Sequence, residues 1–226
     1  MGQWSTVIER RGQIDSLMRH AEFLIALSLF AIPTSTEAAA VTLWAKGYPI
    51  TREGVLVGCS LEFNAATEDH FYRQGKMSSL VGSIALNKSD DPKKIPYFVG
   101  YKLIVRDLDG ENVIPNAPAS IHLVASDGTI WKGDPKQSFL SDTDGGRLQM
   151  LLPDDAMVRV FEGILSSKSV TLAFNRRPGG TDVRVPIDLT VANADLETKR
   201  VQRSDEAVDA WINCTSKLLA EYRKQD

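Results

Sequence analysis

Two short stretches hold the side chains with the most chemical reach. Glu68-Asp69-His70-Phe71-Tyr72-Arg73 sets an imidazole beside two carboxylates. Neighbouring acids favour the protonated ring, and a histidine so placed can shuttle a proton. The catalytic candidates are therefore His70 with Asp69 or Glu68, and the enzyme they would serve is a hydrolase of an envelope polymer. The second stretch, Asn175-Arg176-Arg177-Pro178-Gly179-Gly180-Thr181-Asp182-Val183-Arg184, gathers Arg176, Arg177 and Arg184 about a glycine turn. Guanidinium forks bind carboxylates and phosphates through paired hydrogen bonds. These three arginines are the binding candidates, for an acidic partner, a lipid head group or a cell-wall polymer, against the plainer reading of a solvated hairpin tip.

Other chemistries fail for want of residues. There is no Cys-x-x-Cys, His-Glu-x-x-His, Gly-x-Ser-x-Gly or Ser-x-x-Lys segment, and no glycine-rich phosphate or dinucleotide loop. Apart from His20 near the start, the histidines are His70 and His122, so neither a metal site nor any cofactor is expected. His122, opposite Ile121 and Leu123 on its strand, is expected to be exposed. Asp107-Leu-Asp109-Gly-Glu-Asn112 and Asp142-Thr-Asp144-Gly-Gly146 resemble calcium loops only in acidity. Their first glycine stands fourth rather than sixth, and turn chemistry accounts for both.

The two cysteines, Cys59 and Cys214, are read through the start of the chain. Phe23 to Ile32 is an almost wholly apolar run behind Met18-Arg19-His20, ended by Pro33 and followed by Ala38-Ala39-Ala40. That is the layout of a secretory signal peptide over about 18–40, cleaved after Ala40, with residues 1–17 an upstream extension and translation starting at Met18. The run is about half the ~20 residues a membrane span needs, so no permanent span is expected. An exported chain with an even cysteine pair points to a disulfide, Cys59 to Cys214, and to a periplasmic or secreted location.

The elements that must carry these groups follow from periodicity. Val55, Val57, Cys59, Leu61 and Phe63 alternate as one face of a strand, and Ala207, Trp211, Cys214, Leu218 and Tyr222 recur at helical spacing. Asn64 to Lys76 reads as a loop or short helix. Leu80 to Leu86 and Tyr97 to Val105 read as strands joined across Asn87 to Lys94, and Asp127-Gly128 turns a hairpin between Ile121–Ala125 and Thr129–Trp131. A strand over Arg147–Leu152 precedes a helix at roughly 155–165, capped by the aspartates after Pro153. Val170, Leu172 and Phe174 alternate on one strand and Val183, Val185, Ile187 and Leu189 on its return, where Pro186 marks a sheet edge or a bulge. The final helix starts near Ser204-Asp205-Glu206.

The sum is an α+β fold: an antiparallel sheet or sandwich with a short helix, an amphipathic C-terminal helix and one disulfide, residues 41–226 forming a single domain. Hydrophobic residues make up 43% of the 226, enough for a sizeable core. The formal charge of −3 gives no footprint for nucleic acid. The function that fits is a non-enzymatic exported binding or accessory protein, its partner a protein or cell-envelope component.

Overall fold

The computed structural model describes residues 40–89, 96–195 and 197–222, all within one of the two units into which the chain divides, Glu37–Asp226. Most of the leader reading, residues 1–39, lies outside the described residues; Ala40 opens the first strand. Four long strands run antiparallel in sequence order: β1 (Ala40–Arg52), β2 (Val55–Asp69), β3 (Lys76–Lys88) and β4 (Tyr97–Asp109). β9 (Gly146–Leu151) and β8 (Ser138–Leu140) continue the sheet beyond β4, and β5 (Asn112–Pro115) pairs with the far end of β4. A second sheet has the order β11 (Val183–Asp188), β10 (Ser169–Asn175), β6 (Ser120–Val124), β7 (Ile130–Trp131). β12 (Val191–Asp195) and β13 (Arg200–Arg203) form a separate hairpin.

Alternation decides which side chains meet between the sheets. On β2, Cys59, Leu61, Phe63 and Ala65 point inward and are fully buried; they align with Leu86, Ile84, Gly82 and Leu80 of β3 and with Val99, Tyr101, Leu103 and Val105 of β4. The second sheet answers with Ile121, Leu123, Leu172, Phe174, Val183 and Val185. Gly82 completes the packing by its lack of a side chain: a Cβ there would lie 2.2 Å from the Phe63 ring.

The helices close the same core. α1 (Asp155–Ser167) is capped by Asp154, whose carboxylate accepts from Met157 N–H at 2.9 Å, and it buries Val160 and Ile164. Phe161 stands edge-on between Trp131 and Trp211, with ring centroids 5.9 and 5.0 Å away. α2 (Glu206–Tyr222) buries Ala207, Val208, Trp211, Cys214 and Leu218. It lies directly on β1 at Gly47, where a Cβ would sit 2.1 Å from the Ala207 carbonyl oxygen. Cys214 reaches Cys59 in a disulfide with Cα atoms 5.8 Å apart. The bond closes a loop of 155 residues, worth about 5 kcal/mol as lost freedom of the unfolded chain at the upper end.

The antiparallel α+β architecture and the disulfide match expectation, and Pro186 does lie on an edge strand. One expectation is corrected, and one strand was not anticipated. Residues 64–69 are neither loop nor helix: β2 continues its alternation to Asp69, and the turn occupies only 70–75, where Gln74 and Gly75 take positive φ. β1 gives no sequence signal, because its inward residues Ala45 and Gly47 are small, Gly47 lying directly against α2, and leave no apolar stripe.

Candidate functional site

The inward alternation of both sheets outlasts the apolar residues. After Phe63 and Ala65, β2 presents Thr67 and then Asp69; β3 aligns Ser78 with Thr67, and β4 aligns Asp107 with Ser78. Arg176 comes next after Val170, Leu172 and Phe174 in the same phase of β10, so its guanidinium enters the sandwich instead of capping a tip. It donates from Nε to Asp69 Oδ2 at 2.6 Å, and from Nη2 to Asp107 Oδ1 at 2.8 Å and Ser78 Oγ at 2.9 Å. Its side chain is 7% exposed and that of Asp69 is 0% exposed, so both charges are removed from water.

Arg73 meets Asp107 from the other side, Nε to Oδ2 at 3.5 Å, and donates to the Leu108 carbonyl at 3.2 Å. Asn116 adds a bond to Asp107 Oδ2 at 2.9 Å. The other oxygen of Asp69 accepts the backbone N–H groups of Phe71 and Tyr72 at 3.1 and 2.9 Å, which sets the turn. Two carboxylates and two guanidiniums thus cancel, and each carboxylate oxygen is engaged. Such pairing is what allows ions inside a fold at all.

The candidate residues consequently separate. His70 and Glu68 lie on the outside of the β2–β3 turn, 3.0 Å apart with side chains 55% and 46% exposed, while Asp69 faces the interior and serves Arg176. Arg177 is exposed, its guanidinium 5.6 Å from the Tyr72 ring centre, and the Tyr72 hydroxyl donates to the Thr181 carbonyl at 2.5 Å. Arg184 is exposed on the outer face of the second sheet. The three arginines therefore do not form one surface, since Arg176 belongs to the interior network.

The expected exposure of His122 is also corrected. Its ring does point away from Ile121 and Leu123, yet the residue is 1% exposed. It shares a row with Ala173 and Arg184, and the small Ala173 leaves room for the imidazole. Nε2 lies 3.2 Å from Asp182 Oδ2, close enough for an ion pair but not aligned as a hydrogen bond, and Asn175 donates to Asp182 Oδ1 at 3.1 Å. Burial pushes His122 below its ordinary value of 6.5; Asp182 opposes this, and Lys132 and Arg184 reinforce it.

Cleft space lies elsewhere. One cleft of about 330 Å³ runs between β1 and the first turn of α2, with Lys46, Gly47, Tyr48, Glu206 and Ala207 among its walls. The Tyr48 hydroxyl donates to Glu62, and burial followed by that carboxylate pushes the phenol upward. A second cleft of about 600 Å³ separates the start of β1 from β11 and the β12–β13 hairpin, lined by Thr42, Ser169, Asp188, Thr190 and Arg203. Neither includes His70 or the three candidate arginines. Among the described residues no three metal-ligating side chains gather. Of the two acidic stretches, the first turns at Gly110 and gives Asp107 to the interior network, and the second turns at Gly145.

The interior network and the His122–Asp182 pair are the constellations that sequence reasoning missed. The signal was available: extending the period-two count past the last apolar residue of β2 and β10 predicts Asp69 and Arg176 on the inner face. No protein-family description, curated protein or solved structure matches the chain.

Proposed function

We propose that the chain is an exported, non-enzymatic binding or accessory protein, periplasmic in a cell with two membranes, acting on a protein or a cell-envelope component. The observation that carries the reading is the Cys59–Cys214 disulfide, which takes both cysteines of the chain and joins strand to terminal helix. A structural bond of this kind persists in an oxidising compartment. The partition of the charged groups supports the non-enzymatic part: Asp69 is committed to Arg176, and His70, more than half exposed, pairs with Glu68 outside the clefts formed by the described residues.

Fractionation of the producing cell with thiol labelling tests the location. Blocked cysteines in the exported fraction are expected, and free thiols in the cytoplasm would overturn it. Capture from envelope extracts with an Arg177→Ala/Arg184→Ala variant, which spares the interior Arg176, tests the exposed arginines as contacts; undiminished capture rejects them. His70-dependent release of fragments from envelope polymer would replace the binding reading by the hydrolase one.

A further inference from the structure

We infer that His122 is a proton-operated latch on the turn between β10 and β11. Its uncharged ring holds the outer row of the second sheet shut beside Asp182, and a proton taken up by the ring releases residues 177–182 while the core stays folded.

The geometry sets an imidazole where its neutral form fits and its charged form does not. His122 is 1% exposed, and neither ring nitrogen has a hydrogen-bond partner among the described residues. Nε2 lies 3.2 Å from Asp182 Oδ2 but off the line of a hydrogen bond, while Asp182 Oδ1 is already held by Asn175 at 3.1 Å. The charged groups facing the ring are Asp182 from the turn, Lys132 just after β7 and Arg184 on β11. Burial lowers the proton affinity of the ring, Asp182 opposes this, and Lys132 and Arg184 add to the lowering. One carboxylate against two cations leaves a buried imidazolium poorly compensated.

What the ring holds is the turn. Residues 177–180 close on themselves through Gly180 N–H, which donates to the Arg177 carbonyl at 3.0 Å. Thr181 is tied to the β2–β3 turn by the Tyr72 hydroxyl at 2.5 Å, and Gly180 permits that approach, since a Cβ there would lie 2.3 Å from the same hydroxyl. Thr181 and Arg177 are exposed, so water can replace this tie. The tie at Asp182, next in the chain, ends on the buried ring. Beyond it Val183 is fully buried, and before the turn Arg176 is fixed to Asp69 and Asp107, so an opening stops at both positions.

The size of the effect follows from linkage. In the opened turn the ring is solvated and titrates near its ordinary 6.5, and in the closed turn it titrates lower. Each unit of that difference makes opening roughly tenfold easier once pH falls below the closed-state value, and well above 6.5 the proton has no influence. The inference concerns the folded domain and stands whether or not the chain is exported.

NMR of the disulfide-bonded protein, titrated from mildly alkaline to mildly acidic pH, tests it by following the His122 ring together with the backbone amides of Gly180, Thr181 and Asp182. One shared midpoint below 6.5 is expected, with the amides of Leu61 and Val208 unmoved. Asp182→Asn should shift the ring midpoint down and Arg184→Gln should shift it up, because the first removes the opposing charge and the second a reinforcing one. His122→Gln should abolish the transition at the turn; Arg184 is exposed, so its variant carries the test even if His122→Gln does not fold. Four results would each overturn the inference: a ring midpoint at or above 6.5, turn amides that move without the ring, unfolding of the whole domain at the ring midpoint, or an Arg184→Gln midpoint that stays in place.

Discussion

The two ends of β2 are held to the rest of the molecule by opposite kinds of bond. At Cys59 the link is covalent and reaches α2; ten residues on, about 33 Å at 3.3 Å per residue, Asp69 is held to Arg176, the residue after β10, by a charged hydrogen bond. Both links join segments far apart in sequence, by 155 and 107 residues. They fail differently. The disulfide acts mainly on the unfolded chain, so its loss leaves no wound in the folded one. The ionic end has already lost its hydration, so deleting one member strands the others in a place where charge is costly.

That contrast yields ordered expectations. Cys59→Ala with Cys214→Ala should lower unfolding free energy by up to about 5 kcal/mol, read by urea denaturation. Arg176→Ala should cost about 3–5 kcal/mol, because Asp69 and Asp107 are left facing the interior. Adding Asp69→Ala and Asp107→Ala to it should recover part of that loss, whereas no second-site change repairs the cysteine variant. Combined, the cysteine and Arg176 changes should add within roughly 0.5 kcal/mol, since the ends share no neighbour; strong coupling would show that they act as one unit.

Gly47→Ala should cost about 1–3 kcal/mol through the forced retreat of α2, and should also slow disulfide formation in refolding. The His122 pair supplies a pH test. Burial keeps the folded ring's proton affinity below that of the unfolded chain, so unfolding takes up a proton. Stability is full above about pH 6.5 and falls as pH drops through that value towards the folded one. His122→Gln should flatten this part of the profile. Arg177→Ala, at the exposed turn, should change stability by less than about 0.5 kcal/mol.

The legibility of the sequence follows the same division. The covalent end was readable because Cys59 and Cys214 each sit on an apolar period, one of two residues and one of helical spacing. At the ionic end the period persists but hydrophobicity stops, and a count that looks for apolar residues ends at Ala65, four positions before Asp69, and at Phe174, two before Arg176. β1 is hidden for a packing reason, its inner side cut down to alanine and glycine beneath α2. The β12–β13 hairpin is hidden because it is mostly exposed and polar.

The position of Cys214 in α2, far along the chain from Cys59, sets a condition on biosynthesis. Cys59 emerges early and waits for a mate more than one hundred and fifty residues behind it. A product cut short ahead of α2 keeps a lone thiol and a bare shelf at Gly47, marks that quality control can recognise. The clasp therefore shuts only once α2 has been delivered, making closure of the fold a readout of synthesis through that helix.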